Sequence, residues 1–471
     1  MKKRRIITVL TTFFCLCCFS LSACSESDAR GILSIEKTAT NGLVDTYTVY
    51  YTDGTSTTFE IKNGMDGQNG ADGESITIEA VYEQYKKEYG EISYADFLSL
   101  YMTFENNDYT VIGNCLRSSA KVYTQFTEVS YVYRPMGGVS TTTSTAIYTG
   151  SSVVYRIDDD YTYFLTNYHV VYDGNSTTKL PEQIHVYLYG SEDEPTAISS
   201  TEYDYGEYAI ACDFIGGSVT YDIAVLKANT ADVKAINENI QAVEFAEDYY
   251  VGQTAIAIGN PDDAGISLTK GVVSVDNDYI QLNIDGTTRE YRSIRMDTAL
   301  YSGNSGGGLF NEKGELIGIN NAGNGTEQNI NYAIPLSIVK GVAENVMYYY
   351  SDGNEETNGV YKVTVGITVS SEKSRYVYDE MQGYGEIVED IILSTVESGS
   401  IAENIGLQLG DRLVSIQIDD TVYALNRYFD IADGILSLTV GTEFSFVYER
   451  SGKEYITQTY MITMTDVSAV A

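Results

Sequence analysis

The sequence predicts a mostly-β chain of two or three domains, an all-β central region followed by a smaller α+β unit. Three observations carry this. The 471 residues exceed one ordinary domain of about 100–200. From about 110 to 350, short apolar runs such as "SSVVYRI", "YTYFLTN", "DIAVLKA", "TAIAIGN" and "ELIGIN" recur between Gly, Asn and Asp, the spacing of a barrel or a sandwich pair. After 358, the strand-like runs "YKVTVGITV" and "RLVSIQID" lead to a helical stretch around 426–436 and a closing strand pair.

The first element is a leader. In "MKKRRIITVLTTFFCLCCFSLSAC", Lys2, Lys3, Arg4 and Arg5 precede an apolar run from Ile6, the n-region and h-region of a secretory signal. Leu21-Ser22-Ala23-Cys24 resembles a bacterial lipobox, so the expectation is a signal over 1–23 and a mature chain lipidated at Cys24. That implies an extracytoplasmic, membrane-anchored lipoprotein; an ordinary signal or an uncleaved anchor are the alternatives. No later run is apolar enough to span a bilayer.

Residues 24–78 read as a stalk, with a small hairpin turning at Asp53-Gly54. Gly64, Gly67, Gly70 and Gly73 then recur every third residue, either a collagen-like fragment or, since proline is missing, a flexible spacer. Over 79–109 apolar and tyrosine residues fall at helical spacing, and Ser93 is placed to cap a helix ahead of Ala95, Phe97, Leu98 and Tyr101. The main β domain is expected over 110–350 and the last domain over 358–468.

Composition narrows the chemistry. Net charge is −37, and loss of the four basic residues of the leader takes it to −41. Such a chain lacks the basic footprint that nucleic acid requires. Of six cysteines only Cys115 and Cys212 lie beyond the leader and Cys24, free to form one disulfide or to remain two thiols. With two histidines and no cysteine cluster, a transition-metal site has almost no ligands to draw on, and no metal is expected.

The search for a general base is therefore short. His185 sits inside the strand pattern "QIHVYLY" and reads as an ordinary strand residue. His169 ends a strand in "YFLTNYHVV"; alone it reads equally as a turn histidine bonded to backbone or as a base. Asp222 opens the apolar strand of "YDIAVLKA", where burial is costly unless the carboxylate accepts hydrogen bonds, although strand-start acids often only cap turns. Ser305 lies in "SGNSGGGLFN". A serine is a weak nucleophile unless a base lies within reach, itself oriented by a carboxylate, and the chain order His169, Asp222, Ser305 fits that need. Gly303 can adopt the backbone angles that aim its N–H, with that of Ser305, at a developing oxyanion.

With these residues in view, the chain resembles the HtrA/Deg family of trypsin-like serine proteases. "LTNYHVV", "YDIAVLK" and "DTALYSGNSGGGLFNEKGELIGIN" look like the family's histidine, aspartate and serine motifs, and "VGQTAIAIGNP", "LTKGVVS" and "INYAIP" like its strand signatures. The resemblance, over about 110–465, implies a chymotrypsin-like double β-barrel that cleaves unfolded or damaged proteins through an acyl-enzyme. His169, Asp222 and Ser305 would be its triad, and Gly303 with Ser305 its oxyanion donors. It also implies a homotrimer without a cofactor. By the same alignment Leu300 and Ile319 line the primary pocket, favouring a small or medium apolar residue there. Asn304 stands as in this family, whereas Tyr301, Ser302 and Gly308 depart from its pattern, and Gly308 in place of the usual proline suggests a looser turn.

"SGSIAENIGLQLGDRLVSIQID" resembles a PDZ domain, in which Val365, Gly366 and Ile367 would form the carboxylate-binding loop for peptide C-termini. A β-rich domain that only packs on the barrels is the alternative. For the whole chain, the rival to a protease is a non-catalytic surface chaperone or peptide-binding adhesin.

Overall fold

A computed structural model describes residues 32–41, 44–52, 54–62, 82, 86–87, 108–133, 139–191, 193–323, 329–350, 358–379 and 384–470. The leader, Cys24, the Gly-x-y repeat and nearly all of 79–109 lie outside these residues. The chain divides into a unit over Met1–Thr103 and a larger one over Phe104–Ala471.

In the first unit, β1 (Ile32–Asn41), β2 (Val44–Tyr51) and β3 (Ser56–Lys62) form an antiparallel meander. The hairpin expected around Gly54 is its second turn, where Gly54 takes a φ of 79°.

The larger unit begins with α1 (Asp108–Arg117), which runs across the boundary where sequence put the start of strands. Its Val111 and Cys115, one helical turn apart, are buried in the main core. The next strands are β4 (Ser119–Tyr133), β5 (Val139–Ile157), β6 (Tyr161–Thr166), β7 (Gln183–Leu188), the short pair β8 (Thr196–Ala197) and β9 (Tyr203–Asp204), β10 (Ile210–Ser218) and β11 (Ile223–Asn229). Six of them close a barrel in the order β10-β11-β6-β5-β4-β7. After α2 (Thr230–Ile236) come β12 (Thr254–Gly259), β13 (Ser267–Asn283), β14 (Thr288–Met296), β15 (Gly308–Phe310), β16 (Leu316–Gly323) and β17 (Asn331–Pro335), which close a second barrel in the order β12-β13-β14-β17-β16-β15. The expected mostly-β double barrel is thus the fold of the chain.

One core joins the barrels. Val153, Leu165, Ile215 and Val225 of the first and Ile256, Ile258, Phe310 and Leu316 of the second share a buried cluster. Each such side chain removed from water contributes about 1.5–3 kcal/mol before entropy is counted. Helix α3 (Leu336–Tyr349) seals it, burying Ile338, Val339, Val342, Ala343 and Val346 on one face.

The C-terminal region contains β18 (Val360–Val363), β19 (Ile367–Asp379), β20 (Tyr384–Val396), α4 (Ile401–Asn404), β21 (Arg412–Ile418), β22 (Thr421–Ala424), α5 (Asp430–Leu436), β23 (Glu443–Arg450), β24 (Lys453–Ile456), β25 (Tyr460–Met461) and β26 (Val467–Val470). Helix α5 starts later than its sequence pattern because Asp430 Oδ2 accepts the N–H groups of Asn426 and Arg427, which fixes a turn there. This region joins the main core through Val360 and Leu436 and also meets the second barrel through polar groups. Arg292 of β14 meets Asp433 of α5, Arg427 meets Asp276 of β13, and Phe429 is flanked by the guanidinium groups of Arg292 and Arg427 at 4.2 and 5.0 Å.

Candidate active site

The site is built where the two barrels face each other. Strand β6 ends in Asn167 and a single 3₁₀ turn, Tyr168–Val171, whose Val170 and Val171 are buried in the first barrel. This anchors His169 while leaving its side chain about 30% exposed. Asp222, fully buried just before β11, has a φ of 53°, a left-handed conformation that a non-glycine residue keeps only when its surroundings hold it. Asn167 Nδ2 donates to the Asp222 carbonyl at 2.9 Å and contributes to that hold.

The carboxylate of Asp222 collects three donors. Oδ1 accepts the His169 backbone N–H at 2.9 Å, and Oδ2 lies 2.8 Å from His169 Nδ1. Asn321 Nδ2 donates to the same Oδ2 at 2.9 Å. Burial disfavours the charged imidazolium, but the charge and hydrogen bond of Asp222 outweigh it, so the His169 pKa lies above the usual 6.5. The Nδ1–H is committed to Asp222, which leaves Nε2 as the basic nitrogen.

Ser305 sits against the same turn. Its carbonyl accepts from Ser151 N at 2.8 Å, and a Cβ added to Gly150 would meet both Val170 and Ser305 O. The Ser305 hydroxyl, however, donates to Asn321 O at 2.9 Å, and His169 Nε2 has no hydrogen-bond partner among the described residues. The serine–histidine hydrogen bond expected of a triad is therefore not made in this state. Asn321 joins the parts instead, its side chain on Asp222 and its carbonyl on Ser305. Sequence reading passed over this residue, although "GINNAG" sets two asparagines side by side in the polar end of β16.

Around Ser305 the backbone is spent unevenly. The carbonyls of Tyr301, Ser302, Gly303, Asn304 and Ser305 accept from Asn304 N, Asp262 N, Ser151 Oγ, Gly307 N and Ser151 N respectively. The N–H groups of Gly303 and Ser305 donate to nothing among the described residues. Carbonyl and N–H of one trans peptide point in opposite directions. With Ser302 O held 2.6 Å from Asp262 N, the Gly303 N–H faces away from that segment and is available to an anion. Gly303 has a φ of 93°, and a Cβ there would stand 2.2 Å from Asn260 O, so only glycine fits.

Three expectations change. Ile319 is fully buried in the core between the barrels, paired with Gly308 and Ile334, and has no surface with which to line a pocket. Leu300 is buried with Met296 and Leu309 in the second barrel, although a Cβ on Gly323 would meet its carbonyl. Gly308 does not loosen the turn: it starts β15, and a Cβ there would stand 2.4 Å from the Phe310 ring.

The other candidates fall as follows. His185 lies in β7 between Tyr123 and Ala211, its ring stacked on Tyr205 at 3.8 Å, and burial lowers its pKa. Cys115 and Cys212 are free thiols, and burial pushes Cys115 up to about 12. Among the described residues no three His, Cys, Asp or Glu side chains are grouped to hold a metal. In the C-terminal region, the carbonyls of Val365 and Gly366 accept from Ala402 N and Glu397 N. The amides of Val365 and Gly366 have no acceptor among the described residues, and Ile367 opens β19.

Residues 150–319 match the family model for a trypsin-like peptidase domain. The chain is 26% identical over 317 residues to the serine protease Do-like HtrA of Lactococcus lactis subsp. cremoris (strain MG1363), covering 64% of this chain and 68% of that protein. It is 30% identical over 216 residues to the serine endoprotease DegS of Haemophilus influenzae, covering 45% and 55%. A solved structure, the HtrA-type protease AlgW with a decapeptide, aligns at a TM-score of 0.44 and 22% identity over 76% of this chain and 99% of that one.

Proposed function

We propose that this chain, a serine-type endopeptidase whose trypsin-like domain is similar to those of HtrA/Deg proteases, cleaves unfolded or damaged extracytoplasmic polypeptides through an acyl-enzyme on Ser305. The observation that carries the reading is the buried Asp222 carboxylate, bound to both the backbone and Nδ1 of His169 and tied through Asn321 to the Ser305 loop.

In the reaction, the Ser305 hydroxyl turns from Asn321 O to His169 Nε2. Its Oγ bonds to the scissile carbonyl carbon as its proton passes to Nε2, and Asp222 stabilises the imidazolium so formed. The carbonyl oxygen takes negative charge between the N–H groups of Gly303 and Ser305. Collapse breaks the C–N bond, His169 protonates the departing amine, and water activated by the same imidazole releases the acyl group. No cofactor enters this sequence.

The C-terminal region serves as a PDZ domain, with the unspent amides of Val365 and Gly366 taking a peptide carboxylate and the peptide adding as a strand beside β19. Assembly as a homotrimer and anchoring by lipid at Cys24 complete the reading. A rival, non-catalytic peptide binding, draws on the hydroxyl of Ser305 pointing at Asn321.

The deciding experiment incubates residues 25–471 with unfolded casein beside Ser305→Ala. Cleavage by the parent alone is expected; equal cleavage by both, or none by either with activating C-terminal peptides present, sinks the protease reading. For the anchor, Cys24→Ala should release the chain from membranes, and retention overturns it.

A further inference from the structure

We infer that Asp263 is a positioning residue that keeps the oxyanion site assembled, so that the site is formed without a bound activating peptide. This rests on Ser305 being the nucleophile. After β12, the segment 260–263 turns back beside the serine loop, with Asp262 and Asp263 in succession at φ of 50° and 59°. That conformation is sparsely populated by residues other than glycine, so something must hold it.

The holder is one carboxylate oxygen. Asp263 Oδ1 accepts from Tyr123 OH at 2.5 Å, from Thr149 Oγ1 at 3.3 Å and from Asn260 Nδ2 at 3.0 Å. Tyr123 and Thr149 belong to β4 and β5 of the first barrel, whereas Asp263 and Asn260 follow β12 of the second, so one acceptor ties the barrels together at the edge of the site. The turn fixed in this way presents the Asp262 N–H to Ser302 O at 2.6 Å. If that contact is released, the Ser302–Gly303 peptide is free to rotate and carry its carbonyl toward the place of the Gly303 N–H. Asn260 braces the arrangement from behind: its N–H donates to Ser151 Oγ at 2.8 Å, and that hydroxyl donates to Gly303 O at 2.7 Å. Asp263 itself touches none of the reacting groups. It acts through two peptide units, and what it controls is the direction of one N–H.

The test measures fluorophosphonate labelling of Ser305, which needs an activated serine but no substrate, together with kcat and KM on a peptide, all on the full chain without added PDZ ligand. Asp263→Ala should lower the labelling rate and kcat together by about 10- to 100-fold, less than outright loss of one oxyanion donor, with KM within about 3-fold. Asp263→Asn keeps Oδ1 as acceptor for all three donors and should return both to within about 3-fold of the parent. Should Asp263→Ala fail to fold, Tyr123→Phe removes one anchor from the opposite barrel and should cost about 3- to 10-fold in labelling rate and kcat together, with KM little changed. Labelling of Asp263→Ala at the parental rate, a deficit in Asp263→Asn as deep as in Asp263→Ala, or an unaffected Tyr123→Phe overturns the inference while leaving the nucleophile in place. A parent that takes no label overturns the nucleophile reading instead.

Discussion

On the first barrel, the site is a matter of side chains. Asp222 is buried, three donors converge on its carboxylate, and the imidazole beside it is thereby fixed in tautomer and direction. On the second barrel it is a matter of backbone. Five consecutive carbonyls are tied down, the amides of Tyr301, Ser302, Gly303 and Ser305 have no acceptor among the described residues, and the Ser305 hydroxyl stands beside them as the proposed nucleophile. The first half is assembled by charge, and its cost is the burial of a carboxylate. The second is assembled by conformation, and its cost is a set of left-handed residues at Gly303, Gly306, Asp262 and Asp263. The two halves should therefore fail differently when they are perturbed.

The largest effect is expected on the charged half. Asp222→Asn should leave casein binding intact and lower kcat by about 10⁴, because the imidazole loses its orienting partner. The same pair sets the pH response. If His169 is the base proposed, its neutral form is required, and since its pKa is raised above 6.5, kcat/KM should fall on acidification with an inflection above 6.5. In Asp222→Asn only burial remains, and the residual rate should hold to below 6.5. For stability the sign is reversed: attraction between His169 and Asp222 contributes fully below 6.5 and is lost as pH rises through the raised value. An unshifted acid limb in Asp222→Asn, seen in a pH–rate profile, would show that another group orients His169.

On the conformational half, Gly303→Ala sets a methyl 2.2 Å from Asn260 O and must displace the loop. A fall in kcat of about 10²–10³ with an unshifted acid limb is expected, the signature of a lost oxyanion donor rather than a lost base. A shifted limb would mean that the halves are not separable.

Asn321 joins the two. Asn321→Ala removes one hydrogen bond to a buried carboxylate but keeps the carbonyl that holds Ser305, so it should cost about 1.5–3 kcal/mol in denaturant unfolding. The loss of rate should be smaller than for Asp222→Asn. If unfolding is unchanged, the Asn321–Asp222 contact has no weight.

The smallest effect is expected behind the loop. Gly308→Ala forces a methyl against Phe310 and should lower stability by about 1–3 kcal/mol, read as a drop in Tm, with activity per folded molecule little changed.

This contrast also explains what could be read in advance. His169, Asp222 and Ser305 could be proposed as a set because side-chain chemistry is written in residue identity and order, and alternating apolar runs made both barrels legible. Conformational holds were not. Nothing in "GNPDDAG" announces that Asp262 offers its amide to Ser302 or that Asp263 receives three donors, since Ser302 lies on a separate loop and Tyr123 and Thr149 on strands more than a hundred residues away. Gly308 was misjudged for the same reason: a glycine reads as slack until the Phe310 ring that fills its space is seen. Ile319 was misplaced because alignment gives a position along a strand, whereas its pairing decides which face is buried.

The central claim, that Ser305 is a nucleophile activated from one barrel and served by the backbone of the other, is tested most directly by trapping the intermediate. The purified chain is mixed with an activated peptide ester, quenched in acid within one turnover, and its intact mass and peptide map are read. The account predicts one acyl group, on Ser305, absent from Ser305→Ala and strongly reduced in Asp222→Asn. Turnover of the ester with no acyl adduct, or with the adduct on another residue, would contradict it.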